Sequence, residues 1–594
     1  MVFNFVAIPD RPPTIALTKE PEPQKNGKTI NWCQVRVAPA GQKAADGGDD
    51  VRGIICGAQN FVVGDKVVAC LPGAVLPGPF PISARKTYGH VSDGMLASGK
   101  ELGLGDDHSG ILRLNTLFAP EDLVIGSDAK ALLGVEDSAV EINITPDRGY
   151  AFSIRGIARE YSHSTGAAFR DPAEYLLERD GVTAPTSFAT TFPVSVDDST
   201  PIRGRDAVAV FATRVVRGVD ATRSTPAWMS GRLKLAGIRS ISLIVDISNY
   251  VMVELGQPNH AYDLDTLAGD IVVRRAKAGE KLTTLDGVER NLSTEDLLIT
   301  SGGKPVGLAG VMGGAATEIS DGTTNVLIEA ANFDPVSIAR AVRRHKLHSE
   351  ASKRFERGVD PAVAAVAAGR VAQLIVQLAG GEIVDEGSFL STAVAPAAIE
   401  LPHGFVAGLI GYDFTDEQIL GALTEIGCAV HPGSHGPAVT PPTWRPDLTD
   451  KWTLAEEVIR IVGYDKIPAT LPVAPPGRGY TVAQQVRRRV AQTLVATGHT
   501  ETLSYPFFNE ETNNLFGSAT AAEVPQVRLA NALDSLQGWM RTSLLPGLMG
   551  TAARNRSRGF TDLAIFETGS VFLPAPGVSY GHGILPGAVR PTPE

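Results

Sequence analysis

The stretch from Val306 to Asp360 constrains the fold of this chain more than any other segment. It reads VGLAGVMGGAATEIS, then VLIEAANFDP, then SIARAVRRHKLHSEASKRFERGVD. A glycine-rich turn, a β-prone run expected to end at the lone acid Glu329, and a basic helical segment therefore follow one another closely. This order predicts a unit in which strands and helices alternate.

The basic part of this stretch predicts an anionic partner. Between Arg340 and Arg357 there are seven Lys or Arg and two His against two Glu. Because the formal net charge of the whole chain is −11, any contact with RNA or phosphate must come from a local patch of this kind. A basic run is also typical of a solvated helix surface, and both interpretations stay open.

Chain length predicts several domains. At 594 residues the chain is too long for one hydrophobic core, and we expect roughly four or five domains. Residues 1–118 alternate short β-prone runs with Gly/Pro turns, which is the pattern of a small barrel. In residues 119–192 a strand should end at Thr145–Pro146–Asp147. A helix should follow from Ser153, with an apolar face formed by Ile154, Ile157 and Ala158.

The rest of the chain indicates a multidomain α+β protein. Residues 193–395 alternate helix and strand patterns, as in a mixed α/β fold. Residues 396–473 follow a Pro/Ala linker and contain the amphipathic helix DEQILGALTEIG, with Ile419, Leu420, Leu423 and Ile426 on one face. Residues 474–594 begin with the basic helix VAQQVRRRVAQTLVATG.

The cysteines and the absent signatures limit the chemistry. No cysteine lies in a CxxC pair, which suits a reduced cytosol and excludes a disulfide framework or zinc ribbon; the four are Cys33, Cys56, Cys70 and Cys428. No GxxxxGK[ST] or HExxH motif is present, so neither a P-loop nor a catalytic zinc site is predicted. No long apolar run or charged-then-apolar leader indicates a membrane span or a secretory signal.

Several long motifs resemble the β subunits of bacterial phenylalanyl-tRNA synthetases. They are SNYVMVELGQPNHAYD, VMGG, LIEAANF, LHSEASKRFERG, WRPDLTDKWTLAEEV, SLLPGLMGTAARNRSRG and DLAIFETGSVF. The resemblance implies five domains in chain order: a tRNA-binding-type OB-fold barrel at 1–118, the remainder of a split N-terminal α/β domain at 119–192, a mixed α/β editing module at 193–395, a small α+β domain at 396–473, and a partial class II synthetase-like antiparallel-sheet domain at 474–594.

Two departures from the family pattern accompany this resemblance. The N-terminal part of the split domain and the C-terminal ferredoxin-like anticodon-binding domain are not found, so we expect a chain truncated at both ends. The final GHGILPGAVRPTPE is expected to be a Pro-rich tail. Aromatic residues are sparse in the predicted barrel, so a purely architectural barrel is an alternative to one that binds nucleic acid.

The resemblance also implies an editing pocket. Phenylalanine and tyrosine differ by one hydroxyl, which a pocket sized for an aromatic ring rejects only modestly, so a second site must hydrolyse the wrong ester. Glu329 would accept a hydrogen bond from the tyrosine hydroxyl, while His260 and Asn249 position the ester or a water. The implied pocket-shaping residues are Gly313, Ser349 and Ala351. The basic residues implied to approach the tRNA acceptor end are Arg343, Arg344, Lys346 and Lys353.

An acidic cluster later in the chain predicts a metal site. Asp447, Glu456 and Glu457 are hard oxygen ligands of the kind that Mg²⁺ prefers. The resemblance implies that this Mg²⁺ is shared with a partner subunit, but the family's second Asp is replaced here by Thr453. Acids at a helix start that interact favourably with the helix dipole are the alternative.

The function implied by the resemblance is that of a β subunit in an (αβ)₂ heterotetramer. The α subunit would use ATP and Mg²⁺ to attach phenylalanine to tRNA(Phe). The β subunit would bind tRNA and hydrolyse mischarged Tyr-tRNA(Phe) in the cytoplasm. Two alternatives stay open: a non-catalytic tRNA-binding scaffold fragment, and a free-standing Tyr-tRNA(Phe) deacylase.

Overall fold

The computed structural model describes residues 13–24, 27–104, 108–118, 123–135, 138–179, 193–473, 476–516 and 524–575. The chain divides into two compact units, Met1–Pro468 and Ala469–Glu594. The predicted Pro-rich tail lies outside the described residues. Helices and sheets occur in several separate cores, which confirms the multidomain α+β class.

The N-terminal region is built from short strands. Their bounds are β1 Pro13–Pro23, β2 Thr29–Arg36, β3 Val51–Cys56, β4 Lys66–Cys70, β5 Val75–Leu76, β6 Phe80–Pro81, β7 Arg85–Thr87, β8 His90–Ser92 and β9 Met95–Leu96. Five of them form one antiparallel sheet with the order β3-β2-β1-β4-β9. Strands β2 and β3 alternate buried and half-buried residues, so one face of the sheet packs on a core.

Three short helices follow: α1 Ala129–Leu133, α2 Ile154–Thr165 and α3 Pro172–Arg179. The predicted strand before Thr145 is wrong, because residues 138–145 adopt no regular structure. The predicted apolar face of α2 is also wrong. Ile154 is 63% exposed, whereas Arg155 and Arg159 are buried, because both guanidinium groups pair with the carboxylate of Asp171.

The central module, residues 193–395, contains a four-stranded sheet, a five-stranded sheet, a two-stranded sheet and five α-helices. Their bounds are β10 Val194–Asp197, β11 Val208–Arg217, α4 Ala227–Leu235, α5 Leu243–Leu255, β12 Asn259–Asp263, β13 Ile271–Arg275, β14 Lys281–Thr283, β15 Glu289–Asn291, β16 Leu297–Ser301, β17 Lys304–Leu308, β18 Met312–Gly313, β19 Asn325–Phe333, α6 Pro335–His345, α7 Glu350–Arg357, α8 Ala364–Ala379 and β20 Glu382–Ser391. The four-stranded sheet has the order β12-β19-β11-β20, the five-stranded sheet has the order β10-β13-β16-β17-β18, and the two-stranded sheet is β14–β15.

The four-stranded sheet lies between two apolar layers. Helices α4, α5 and α8 cover one face, and the five-stranded sheet with α6 and α7 covers the other. The segment Pro361–Ala379 is long and apolar enough to cross a membrane, but 61% of it is buried within the protein, as in a core helix. Glu329 lies in the middle of β19 and not at its end, so the predicted strand boundary is wrong.

The next region is a small α+β unit. Its elements are β21 Ile399–Glu400, α9 Phe405–Ile410, α10 Asp416–Glu425, β22 Ala429–His431, β23 Ala438–Thr440 and α11 Lys451–Val462. The strands form an antiparallel sheet with the order β21-β23-β22. The predicted amphipathic helix is confirmed as α10, and Leu423 on its inner face is fully buried. Leu420, predicted on the same face, is 37% exposed, and Ile426 follows the last residue of the helix.

The second unit contains α12 Val482–Ala496, β24 Thr500–Glu501, β25 Phe507–Phe508, α13 Glu510–Phe516, β26 Trp539–Met540, α14 Leu545–Ser557 and β27 Ile565–Phe566. The predicted antiparallel sheet is not formed over the ranges 476–516 and 524–575. These ranges hold one antiparallel pair, β25–β26, and one parallel pair, β24–β27.

Candidate functional site

A pocket opens between the four-stranded and the five-stranded sheet of the central module. Its walls come from β12, β16, β17, β18 and β19 and from α7. Most of its lining is apolar or glycine; the polar lining side chains are those of Asn259, His260, Tyr262 and Glu329. Such a mixture of an apolar wall with a few convergent polar groups is typical of a small-ligand site.

Glu329 is the acid of this pocket. It is 5% exposed and lies on β19 opposite His260 of β12 and Thr213 of β11. Burial raises the pKa of its carboxyl to about 7, although a hydrogen bond from Tyr262 acts in the opposite direction. The carboxyl group can therefore change its charge near neutral pH, which is typical of functional sites.

Tyr262 was not predicted from the sequence, because a lone tyrosine in a β-prone run looks like an ordinary core residue. Its side chain is 1% exposed, and its hydroxyl donates a short hydrogen bond to Oε2 of Glu329. Burial and the neighbouring Glu329 raise the pKa of the phenol well above its ordinary value, so the hydroxyl stays protonated as a donor.

His260 stands beside this pair. Its ring meets the ring of Tyr262 edge-on, with centroids 4.5 Å apart and an interplanar angle of 82°. Burial lowers the pKa of the imidazole to about 4, so the ring is neutral at pH 7. Its Nε2 is buried and makes no hydrogen bond with the described residues. A buried polar atom of this kind is a candidate contact for a ligand or a water.

Gly313 makes the position of His260 possible. A Cβ atom at residue 313 would lie 2.6 Å from Cε1 and 2.7 Å from Nε2 of His260. Because real Cβ atoms do not approach so closely, any side chain here would displace the imidazole. The structure therefore brings together four of the predicted residues, His260, Gly313, Glu329 and Ala351.

The two other predicted residues lie outside the lining. Ser349 caps the N-terminus of α7, and its hydroxyl donates to the carbonyl of Val311 at 2.9 Å, so it fixes a pocket wall. Asn249 lies on α5 and does not line the pocket. Asn259 does so instead: its Nδ2 donates to the carbonyl of Ser248 at 3.0 Å, and its Oδ1 is buried without a hydrogen bond among the described residues.

The predicted RNA-contacting residues divide into two groups. Arg344 pairs with Asp296 and Glu295, and Lys353 lies 3.8 Å from Glu350 and above the ring of Phe152. Two others, Arg343 and Lys346, are exposed and make no ion pair within the described part of the chain. These two cations are the ones available to a phosphate.

The predicted metal ligands do not converge. Glu456 is exposed, whereas its neighbour Glu457 is 1% exposed and points into the protein. Asp447 accepts two hydrogen bonds from Arg445, at 2.9 and 2.7 Å. Across the described ranges no group of three or more His, Cys, Asp or Glu is arranged to hold a metal. These residues therefore do not fit a Mg²⁺ ion, because arginines occupy the oxygens that the ion would need.

Glu457 instead lies at the centre of a cationic cluster. Arg445 donates to its Oε2 at 2.7 Å, Arg460 donates to the same oxygen at 2.8 Å, and Arg148 donates a short hydrogen bond to Oε1. Burial disfavours the ionised carboxylate, but the hydrogen bonds from Arg460 and Arg445 outweigh it and hold the pKa of Glu457 at about 2. This cluster joins α11 to the segment before α2.

The N-terminal region contains a larger cavity of about 200 Å³. It lies between β4 and α1 and is lined mainly by apolar side chains. Cys70 is one of the lining residues, but burial raises the pKa of its thiol to about 12, so no reactive thiolate is present near neutral pH. The four cysteines are free, in agreement with the predicted lack of a disulfide framework, and all four are buried. The pocket around Glu329 is smaller, but its convergent polar side chains make it the better candidate for a functional site.

Family models match three segments of the chain. The B3/4 domain matches residues 207–380, which contain the pocket. The tRNA synthetase B5 domain matches residues 399–464. The phenylalanyl tRNA synthetase beta chain CLM domain matches residues 467–581.

Two similar proteins share the same name. The phenylalanine–tRNA ligase beta subunit of Leifsonia xyli subsp. xyli is 63% identical over 580 residues, which is 96% of this chain and 67% of that protein. The protein of the same name from Bifidobacterium longum is 48% identical over 97% of this chain and 68% of its own length. The chain thus spans about two thirds of these curated relatives. A solved N-terminal fragment of the phenylalanyl-tRNA synthetase beta subunit from Pyrococcus horikoshii covers 56% of this chain and 97% of its own, at 15% identity and a TM-score of 0.27.

Proposed function

The chain belongs to the family of phenylalanine–tRNA ligase β subunits, and on that premise we propose that its central pocket hydrolyses tyrosine wrongly esterified to tRNA(Phe). A partner α subunit would carry out the ligation with ATP and Mg²⁺, in an (αβ)₂ assembly in the cytoplasm. The pocket would then act on the product of that subunit when the wrong amino acid has been attached.

One observation carries this proposal: a buried carboxylate lies in a pocket that is otherwise suited to an aromatic ring. Phe333, Phe355 and Met312 contribute apolar wall, and Glu329 supplies a hydrogen-bond acceptor within it. A phenylalanyl ring would leave the Glu329 carboxylate without water and without a new partner. A tyrosyl ring would donate its hydroxyl to that carboxylate. A site of this kind separates the two esters strongly, because the unpaired buried acceptor penalises the wrong ligand.

His260 is proposed to position the ester or the attacking water. Its neutral imidazole can accept or donate one hydrogen bond through Nε2, the atom that has no partner among the described residues. Water would add to the ester carbonyl, and the ribose oxygen of the tRNA would leave with a proton. Free tyrosine and uncharged tRNA(Phe) would be released. Asn259, which shares the pocket wall, is a second candidate to orient the ribose.

The direct test is hydrolysis of Tyr-tRNA(Phe) and Phe-tRNA(Phe) by this chain, with and without the α subunit. We expect the tyrosyl ester to be hydrolysed about 100-fold faster than the phenylalanyl ester, since only the former satisfies the acceptor. Equal activity without the α subunit would indicate a free-standing deacylase. Binding of tRNA with no hydrolysis of either ester in the complex would contradict the proposal and favour a scaffold.

We also propose that Arg343 and Lys346 contact tRNA phosphates. Replacing both by glutamate should weaken tRNA binding about tenfold and reduce the slope of log K against log salt by about one unit for each lost contact. Filter binding over a salt series measures both quantities. The control is the replacement of Lys277 and Lys304 by glutamate. These two exposed lysines belong to the same module, so the net charge of the chain changes by the same amount. Equal losses in both variants would leave only a non-specific charge effect.

A further inference from the structure

The carboxylate of Glu329 is already engaged on one side. The hydroxyl of Tyr262 donates to its Oε2, and Oε1 makes no hydrogen bond with the described residues. A carboxylate oxygen has room for more than one donor, and the second oxygen can accept independently of the first. Within the pocket, the phenol of Tyr262 therefore binds the same carboxylate that would accept a hydrogen bond from the phenol of a bound tyrosine.

Strand pairing makes this contact a fixed feature. Tyr262 is opposite Leu327 in the β12–β19 register, so it is a diagonal neighbour of Glu329 on the same face of the sheet. Aromatic side chains reach diagonal neighbours in antiparallel sheets. The ring of Tyr262 is 1% exposed and is held edge-on by His260, so its hydroxyl cannot swing away without disturbing the core.

We infer that Tyr262 is a positioning residue for tyrosine recognition: it holds Glu329 by Oε2 and thereby leaves Oε1 directed to the hydroxyl of the bound tyrosine. This inference rests on the function proposed above and adds to it a residue that determines specificity. Tyr262 does not touch the reacting ester. It acts through the orientation and the charge of Glu329.

The electrostatics of the pocket support this role. Glu329 must be ionised to act purely as an acceptor, and burial opposes ionisation by raising its pKa to about 7, while the hydrogen bond from Tyr262 favours ionisation. The other titratable groups among the described lining residues are His260 and Tyr262. Both are uncharged near pH 7, because burial lowers the pKa of the imidazole and raises that of the phenol. Removing the Tyr262 donor should therefore shift the titration of Glu329 to higher pH.

The test is Tyr262→Phe in the full chain assembled with the α subunit. At pH 7 we expect kcat/KM for Tyr-tRNA(Phe) to fall about tenfold, the loss expected for a hydrogen bond to a charged group. The slow hydrolysis of Phe-tRNA(Phe) should change little. Activity on the tyrosyl ester should recover as the pH is raised, because Glu329 then ionises without its donor. A merely structural role would lower both activities at every pH.

Tyr150→Phe is the matched control. Tyr150 also donates a short hydrogen bond to a glutamate, Glu160, but it does not line this pocket. This variant should keep the activity, the tyrosine preference and the pH profile of the unmodified chain. A similar loss in both variants would overturn the inference, since the effect would then follow from losing any tyrosine–glutamate hydrogen bond.

A measurement that does not depend on activity separates this inference from the proposed function. Infrared difference spectra against Glu329→Gln report the protonated carboxyl of Glu329 across a pH series. Its midpoint should move to higher pH in Tyr262→Phe, and an unmoved midpoint overturns the inference. If the midpoint shifts but the chain hydrolyses no ester, Tyr262 does orient and charge-stabilise Glu329, and the inference is supported. That result contradicts only the proposed function.

A second variant covers the case in which Tyr262→Phe does not fold. Incorporation of 3-fluorotyrosine at position 262 keeps the ring and makes the phenol a stronger donor. The midpoint of Glu329 should then move to lower pH, opposite to the direction expected for phenylalanine. If the titration midpoint of Glu329 does not shift in this folded variant, the inference is likewise overturned.

Discussion

Replacing Glu329 by alanine should lower hydrolysis of Tyr-tRNA(Phe) and raise the slow hydrolysis of Phe-tRNA(Phe), so that the preference of about 100-fold for the tyrosyl ester is lost. The tyrosyl ester loses the acceptor of its hydroxyl, whereas the phenylalanyl ester no longer buries a carboxylate that it leaves unpaired. Deacylation rates of both esters, measured with the α subunit present, give the ratio of tyrosyl to phenylalanyl hydrolysis directly. The two rates would fall together if Glu329 served only to hold the fold.

The control for this prediction is Glu382→Ala. Glu382 lies on β20 of the same sheet, but it is exposed and is not one of the residues that line the pocket. Its replacement should change neither rate. Glu329→Gln should show a tyrosine preference between those of the unmodified chain and the alanine variant, because the amide oxygen accepts a hydrogen bond without a negative charge. An alanine variant that keeps the tyrosine preference would contradict the role of Glu329.

The same substitution should change how stability depends on pH. The folded-state pKa of Glu329 is about 7, above its ordinary value of 4.5. The folded state therefore binds more protons than the unfolded state between these values, and its stability falls as the pH rises through this window. Glu329→Ala lacks that contribution. Its free energy of unfolding, measured with urea, should decline less between pH 5 and pH 7 than that of the unmodified chain.

The second large effect is expected at the arginine cluster around Glu457. Glu457→Ala should destabilise the chain by about 3 kcal/mol, because it removes the anion that buried Arg445 shares with half-buried Arg148 and Arg460. Arg445 and Glu457 are each only 2% exposed at the side chain, so water does not screen the loss. Urea unfolding followed by circular dichroism measures the difference.

Glu456→Ala is a matched control for this variant. The two glutamates are neighbours on α11, but Glu456 is exposed and its replacement should change stability by less than about 0.5 kcal/mol. A shared Mg²⁺ site would make both residues important and would make stability respond to Mg²⁺ or a chelator. The arginine cluster predicts that only Glu457 matters and that neither addition shifts the melting temperature. Stabilisation by Mg²⁺ that either substitution abolishes would contradict the cluster.

Acid should remove the contribution of Glu457. Its pKa is held at about 2, below the ordinary 4.5. The stability that it supplies is therefore fully present above pH 4.5 and is lost as the pH falls towards 2. The difference in unfolding free energy between the unmodified chain and Glu457→Ala should shrink over that interval.

The sequence by itself determined the features that depend on local order and residue type. The motifs around Gly313, Glu329 and Ala351 identified the family and most of the pocket, because each motif keeps its residues in one strand, turn or helix start. The spacing of charges identified the basic segment, and the cysteine pattern predicted free thiols. Helix α10 followed from its periodicity alone.

Only the tertiary structure decided which polar groups meet. The register of β12 against β19 places Tyr262 on Glu329, and Asn259, not Asn249, beside the pocket. Residues 309 positions apart, Arg148 and Glu457, are neighbours in the fold, and this turns a predicted metal site into an arginine cluster. Burial of Arg155 on α2 likewise depends on Asp360, far along the chain. A buried charge is stable only with its partner, and sequence periodicity carries no record of a partner that is brought in by folding.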